Sequence, residues 1–284
     1  MSPTAQERFD ALPQSLRNAS KVMRLGDDVP ALVAHPDWET PTPTVVWMHG
    51  RTAHKELDPG RYLRWLRAGI ATVSLDLPGH GERFERDAHG PARTVEVVSQ
   101  MHGEIDGVLR AIPDVGPFDM DRLAIGGMSA GGMATLRRLC DPHPFKCAAV
   151  ECTSGDLATL YFDSGVSWSV EHDREKVATI DPMEHLDGFA PLPLLVLHNE
   201  LDALTPIGAQ RGFVRALRAL FAEREANPDL VEFRVFPETG APSEHAGFGR
   251  HANEAKALQT AFLARNLGLS AVPASPDNPA SRSE

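Results

Sequence analysis

Short apolar runs alternate with helix-period stretches along this chain, and that alternation limits the folds open to it more than any other feature. The runs lie at residues 44–48 (TVVWM), 70–75 (IATVSL), 123–125 (LAI), 147–152 (CAAVEC), 192–198 (LPLLVLH) and 231–236 (VEFRVF). Most are nearly continuous in apolar residues and bounded by turn residues, which suits strands covered on both faces of a parallel sheet. A further run at 30–35 (PALVAH) reads as an early strand. Between them, Val98, Met101, Ile105, Val108 and Ile112 recur at the spacing of one helical face. Phe213, Val214, Leu217, Leu220 and Phe221 do the same. Thr205 and Pro206 read as the N-cap and first residue of that second helix. Strands alternating with helices imply an α/β fold with a doubly wound, mostly parallel sheet.

The 284 residues suit one large domain with short additions at its ends. Residues 1–20 form a polar N-terminal arm, frayed or in a short helix, and 21–268 carry the main domain. Residues 154–190 break the alternation and hold Tyr161, Phe162 and Trp168. Two readings are open for them: a small cap or lid, or a decorated loop packed on the sheet. Residues 269–284 are rich in Pro, Ser and Ala and read as a disordered tail.

Charge and cysteine content exclude several function classes. Twenty-eight Lys and Arg against 39 Asp and Glu give a net charge of −11. That sign repels phosphate backbones, so neither nucleic acid nor an anionic membrane is an expected partner. No apolar run reaches the ~18 residues needed to span a bilayer. The first residues, MSPTAQERFDALPQ, lack a basic-then-apolar secretory profile, so a cytoplasmic location is expected. Three cysteines make no disulfide framework, and Cys147 and Cys152 read as core residues of one buried strand.

Residues 121–136, DRLAIGGMSAGGMATL, pass from an apolar run through a glycine-rich turn into a helical stretch. The turn contains G-x-S-x-G, Gly127 to Gly131, centred on Ser129. In that context the motif describes a nucleophile elbow, with the serine exposed at a helix N-terminus where negative charge is favoured. A phosphate-binding loop is excluded because Gly131 is followed by Gly132 and Met133 rather than Lys and Ser or Thr. The dinucleotide spacing G-x-G-x-x-G is not met either. The bland alternative is a glycine-rich turn without chemistry.

A serine hydroxyl needs a base to take its proton and an acid to orient that base. Such folds order them as serine, acid, histidine. Asp202 follows the run at 192–198, at the end of a strand where α/β sites gather, and Glu200 is its neighbour and competitor. Only His245 and His251 come later. His245 lies in the loop at 239–249 and is the candidate base; His251 falls where the last helix starts. His198 precedes the acid and reads as a packed neighbour. Two backbone N–H groups must meet the developing oxyanion. Ala130, after the serine, supplies one. Arg51, with Thr52 as second choice, supplies the other from the loop after the run at 44–48. Arg51's side chain reads either as a solvated guanidinium or as a contact for an acidic substrate group. Tyr161, Phe162 and Trp168 are candidate pocket residues, or packing against the sheet. His49, His54, His80 and His89 cluster near these loops without metal-site spacing, so no metal or cofactor is expected.

Taken together, VVWMHGRT (45–52), SLDLPGHGER (74–83), IGGMSAGG (125–132), DPMEHLDGFAPLPLLVLHNELDALTP (181–206) and EHAGF (244–248) resemble the α/β-hydrolase superfamily. The resemblance covers roughly residues 42–266 and lies nearest the serine esterase branch around dienelactone hydrolases and prolyl-oligopeptidase-type catalytic domains. It implies Ser129 as nucleophile, Asp202 as acid, His245 as base, and Arg51 and Ala130 as oxyanion donors. It implies a hydrolase that cleaves small or medium carboxylic esters through an acyl-enzyme. Thioesterase, acyl-peptide hydrolase or acyltransferase activity would use the same residues. An inactive hydrolase fold serving as a scaffold or receptor is the reading from another class. The sequence departs from the family pattern at Asn199, where Gly is usual, and at Thr205, where Val is usual. An asparagine tolerates the left-handed backbone that such a glycine would adopt.

Overall fold

In the computed structural model, residues 3–269 are described. Eight strands form one sheet: β1 (Ser20–Leu25), β2 (Val29–Ala34), β3 (Thr42–Met48), β4 (Ala71–Leu75), β5 (Phe118–Met128), β6 (Cys147–Glu151), β7 (Leu194–Asn199) and β8 (Val231–Phe236). Their spatial order is β1-β2-β4-β3-β5-β6-β7-β8. β2 runs antiparallel to both neighbours, and every pairing from β4 through β8 is parallel. Eight α-helices accompany the strands in the described residues: α1 (Ala5–Asp10), α2 (Gln14–Asn18), α3 (Pro59–Arg67), α4 (Thr94–Ala111), α5 (Ala130–Arg138), α6 (Arg174–Ile180), α7 (Ile207–Glu223) and α8 (Ala252–Asn266).

Two apolar cores flank the sheet because side chains alternate along each strand. On β3, Val46 and Met48 enter one core, while Val45 and Trp47 enter the other. The first core takes α4, α5 and α7 through Met101, Ile105, Leu136, Phe213 and Leu217. The second takes α2, α3 and α8 through Leu16, Trp65, Phe262 and Leu263. This is the doubly wound α/β arrangement expected from the alternation.

Three local expectations change, and a fourth, left open, is decided. The sequence shows no strand at 20–25, yet β1 forms there, paired with β2 in full register. Of the two readings of the arm before it, the short helix is the one that forms in the described residues: α1 carries a capping box between Thr4 and Glu7, and Leu12 and Leu16 are buried. β6 stops at Glu151, and Cys152 leaves it with φ of 44°. Thr205 does not cap α7, because that helix begins at Ile207 and the Thr205 side chain turns toward Asp202.

Segment 154–190 packs down rather than standing apart. Leu157, Leu160, Tyr161, Val177 and Ile180 join the core under α4 and α5, and α6 lies against both helices. Asp181 fastens the segment by accepting from Leu157 N at 3.0 Å, Ala158 N at 2.7 Å and Met183 N at 3.1 Å. The expected tail at 269–284 lies, apart from Leu269, outside the described residues. No described helix is long and apolar enough to cross a membrane.

Candidate active site

β5 ends at Met128, and α5 begins at Ala130. Ser129 makes the whole turn between them, with φ of 51° and ψ of −117°. That backbone is strained for a residue with a Cβ, and the glycines around it make it reachable. A Cβ on Gly127 would lie 2.4 Å from the carbonyl carbon of Gly131. One on Gly131 would lie 2.4 Å from the Met48 carbonyl oxygen. The turn is also tied on both sides. Ser129 N donates to the Glu151 carbonyl at 2.9 Å, and Thr153 Oγ1 donates to the Ser129 carbonyl at 2.8 Å.

Three side chains distant in sequence meet at this turn. Ser129 Oγ lies 2.9 Å from His245 Nε2. His245 Nδ1 lies 2.8 Å from Asp202 Oδ2 and 3.1 Å from Oδ1. Nδ1–H therefore donates to the carboxylate, and Nε2 is free to accept from the serine hydroxyl. Asp202 and His245 are buried, while Ser129 is half-buried and reachable. The competitors stand elsewhere. Glu200 pairs with Arg211 at 2.7 Å. His251 sits just before α8, 3.3 Å from Glu254. His198 is buried, with Nε2 2.7 Å from the Thr205 carbonyl.

Two departures from the family pattern turn out to be working parts of the site. Thr205 Oγ1 donates to Asp202 Oδ2 at 2.8 Å, while Thr205 N and Leu204 N donate to Oδ1 at 2.7 and 2.9 Å. Asn199 is not left-handed; it ends β7 in extended backbone. Its Nδ2 donates to the carbonyls of Glu244 at 2.6 Å and Gly247 at 2.8 Å. The strand carrying the acid thereby holds the loop carrying the histidine. Glu244 closes that loop from the other side, accepting from Thr239 N at 2.7 Å and Gly240 N at 2.6 Å.

Facing Ser129 is the loop after β3. A Cβ on Gly50 would lie 3.3 Å from Ser129 Cβ, so backbone and serine nearly touch. His49 shapes this loop: its Nδ1–H donates to the Gly50 carbonyl at 2.7 Å, and its Nε2 accepts from Leu77 N at 3.1 Å. The N–H groups of Arg51, Thr52 and Ala130 have no backbone or side-chain acceptor among the described residues. Ala130 opens α5, where an N–H has no intrahelical partner.

A cavity of about 700 Å³ opens beside Ser129. Its walls come from the Gly50 loop, α3, the His245 loop and the start of α8. Tyr161, Phe162 and Trp168, named above as pocket residues, are not among them. Segment 154–190 folds its aromatics inward instead. Tyr161 is buried beside Trp168 and His172, and the Arg174 guanidinium covers Phe162 at 3.9 Å. On the α3 side, Arg61 forms a two-pronged pair with Glu151 at 2.7 and 2.8 Å. Among the described residues no three His, Cys, Asp or Glu side chains gather as a metal site. His80 and His89 stack on each other at 4.3 Å.

The model of the prolyl oligopeptidase family matches residues 62–270, well over half of the chain. The chain belongs to the prolyl oligopeptidase family. As a member it is a serine hydrolase. It is 28% identical over 194 residues to esterase YjfP of Escherichia coli, covering 63% of this chain and 77% of that one. It is 28% identical over 261 residues to dipeptidyl aminopeptidase BIII of Pseudoxanthomonas mexicana, covering 84% of this chain but 35% of that one. Among solved structures, a puromycin-hydrolyzing peptidase of Mycobacterium tuberculosis superposes with a TM-score of 0.69 at 20% identity. That match covers 88% of this chain and 40% of the peptidase, so this family member spans well under half of the peptidases' length. At that identity the likeness speaks for the fold alone.

Proposed function

We propose that this serine hydrolase cleaves carboxylic esters of small or medium size, with Ser129 as nucleophile, His245 as general base and acid, and Asp202 as the group that orients His245. The observation that carries the reading is the pair of contacts at His245: Nε2 at 2.9 Å from Ser129 Oγ and Nδ1 at 2.8 Å from Asp202 Oδ2. As Oγ attacks the ester carbonyl carbon, its proton passes to Nε2. The imidazolium that forms is stabilised by Asp202. The N–H groups of Ala130 and Arg51 receive the oxyanion, with Thr52 as the alternative to Arg51. When the tetrahedral intermediate collapses, the alkoxide leaves with the proton from Nε2. Water then gives a proton to Nε2 and attacks the acyl-serine. The acid departs as Oγ recovers its proton.

The preference for esters over peptides rests on the relative matched over most of its own length, an esterase. A peptidase reading has one supporting observation, the dipeptidyl aminopeptidase matched over 84% of this chain. Burst kinetics test the mechanism. Wild-type protein should release p-nitrophenol from p-nitrophenyl acetate in a burst equal to the enzyme concentration. A fluorophosphonate should label Ser129 stoichiometrically, and Ser129→Ala should lose both signals. A label on another residue would overturn the assignment. Aminoacyl p-nitroanilides cleaved faster than matched esters would favour the peptidase.

A further inference from the structure

Among the described residues, three cations and two carboxylates line the cavity beside Ser129: Arg51, Arg61 and Lys256 against Asp58 and Glu151. The wall therefore carries one excess positive charge in a chain whose net charge is −11. Two of the cations are matched. Arg61 pairs with Glu151 and reaches Asp58 at 3.2 Å, and Lys256 reaches Asp58 at 2.7 Å. Arg51 has no carboxylate within ion-pair distance among the described residues. One of its five N–H donors is used, by Nη1 to the His89 carbonyl at 2.6 Å. Elsewhere in this chain Arg218 and Arg224 hold carbonyls alone, while other arginines take a carboxylate as well. Arg83 holds Glu104 with the Asp76 and Leu77 carbonyls, and Arg138 holds Asp106 with the Pro142 carbonyl.

The solvated guanidinium expected from the sequence is thus a half-buried one, tied to the His89 carbonyl. Arg51 follows Gly50, the residue that nearly touches Ser129. Around it stand His80, His89, His172 and Tyr161. Burial, together with Arg51's own charge, holds all three imidazoles below their usual pKa, His80 at about 4, so none of them is an anion or a competing cation. Arg51 is one of the residues lining the cavity, and its guanidinium keeps most of a planar fork free of partners, the geometry that takes a carboxylate in two parallel hydrogen bonds. Partial burial makes that pairing stronger than it would be in water.

We propose that the Arg51 side chain anchors a carboxylate carried by the substrate, so that the enzyme prefers esters bearing a free carboxylate close to the scissile bond. The inference rests on the ester hydrolase reading given above and names the substrate class for that site. Arg51 is then a specificity-determining residue through its side chain, separate from the role of its backbone N–H.

Ratios within each variant test this, because any disturbance of the backbone donor cancels. Two pairs of esters are compared by kcat/KM: p-nitrophenyl hydrogen glutarate against p-nitrophenyl valerate, and 4-carboxyphenyl acetate against phenyl acetate. The first pair places the carboxylate on the acyl side and the second on the leaving group. In at least one pair, Arg51→Gln should lower the charged-to-neutral ratio about tenfold or more, mainly through KM. Arg51→Lys should recover part of it. Unchanged ratios in both pairs overturn the proposal. If wild-type protein hydrolyses none of the four esters, the ester hydrolase reading fails, and calorimetric titration of glutarate reads the anion site without chemistry. Glutarate binding to Ser129→Ala that disappears in Ser129→Ala/Arg51→Gln supports the anchor. Binding that is equal in the two, or absent from both, overturns it.

Discussion

At the scale of single residues, the acid is held more firmly than a triad requires. Asp202 accepts from two backbone N–H groups, from Thr205 Oγ1 and from His245 Nδ1. The Thr205 hydroxyl carries one proton and lies nearer to Asp202 Oδ2 than to the Cys152 carbonyl, at 2.8 against 3.2 Å. It therefore fixes the oxygen that faces the histidine. Thr205→Val keeps the shape and removes that bond. We expect kcat to fall about tenfold with KM little changed, since one hydrogen bond to a charged group is worth about 1.5–3 kcal/mol. Steady-state kinetics beside thermal melts check this, and an unchanged kcat would remove Thr205 from the acid's support. Ser129, Asp202 and His245 were legible in the sequence because an elbow motif and a fixed chain order leave few candidates. The work of Thr205 was half legible. Asp-x-x-Thr is the spacing at which a side chain bonds backbone a turn ahead, but a following proline made a helix cap the simpler reading. Asn199 was not legible at all. Its partners at 244 and 247 come into reach only after β7, β8 and the loop beyond have folded.

At the scale of elements, the site depends on how α3 and α8 are moored to the ends of the strands. Arg61 on α3 joins Glu151 at the end of β6, and Gln259 on α8 joins both, at 2.5 Å to Arg61 and 2.9 Å to Glu151. All three side chains are buried. The Glu151 carbonyl also receives Ser129 N, so the same residue links the elbow to the helices that wall the cavity. Removing one partner leaves the other charge buried, which costs about 3–5 kcal/mol. Glu151→Ala should therefore lower the stability by about 3 kcal/mol, read from a urea unfolding curve, because Asp58 still faces Arg61. A loss below about 1 kcal/mol would mean that the pair merely breaks even. The central strands were readable because continuous apolar runs mark coverage on both faces. β1 was not. Of its six residues only Leu25 is buried, as suits an edge strand, so it presents no apolar run. Segment 154–190 was unreadable for a different reason. Its order comes from Asp181 reaching back to backbone N–H groups of residues 157 and 158, a contact without local pattern.

At the scale of the whole molecule, the sheet gathers the functional loops at the carboxyl ends of its parallel strands, and it does so by burying many titratable side chains. Burial lowers the pKa of His80 to about 4 and also depresses His89, His102, His143, His172 and His198. An unfolded chain binds protons at these imidazoles from about pH 6.5 downward, while the folded chain resists doing so. Between those values the unfolded state holds more protons, so stability falls as pH falls. Asp181, raised by burial, works the other way in the same window but is a single group. Lower still, a second loss begins. Burial alone would raise Asp76, but the Lys55 ammonium with the Lys55 and Glu82 N–H groups outweighs it and holds this carboxylate well below its usual range. Glu56, also buried, and Asp58, half-buried, are likewise lowered by their basic partners. Their contribution is present above about pH 4, where the unfolded carboxylates ionise, and disappears as pH drops through the folded values. The expected outcome is a thermal midpoint that declines from pH 6.5 toward pH 4 and then more steeply below, measured by calorimetry at constant ionic strength. A midpoint that stays level from pH 7 to pH 4.5 would mean that these imidazoles are charged in the folded protein. In that case the uncharged surroundings assigned to Arg51 would have to be abandoned with them.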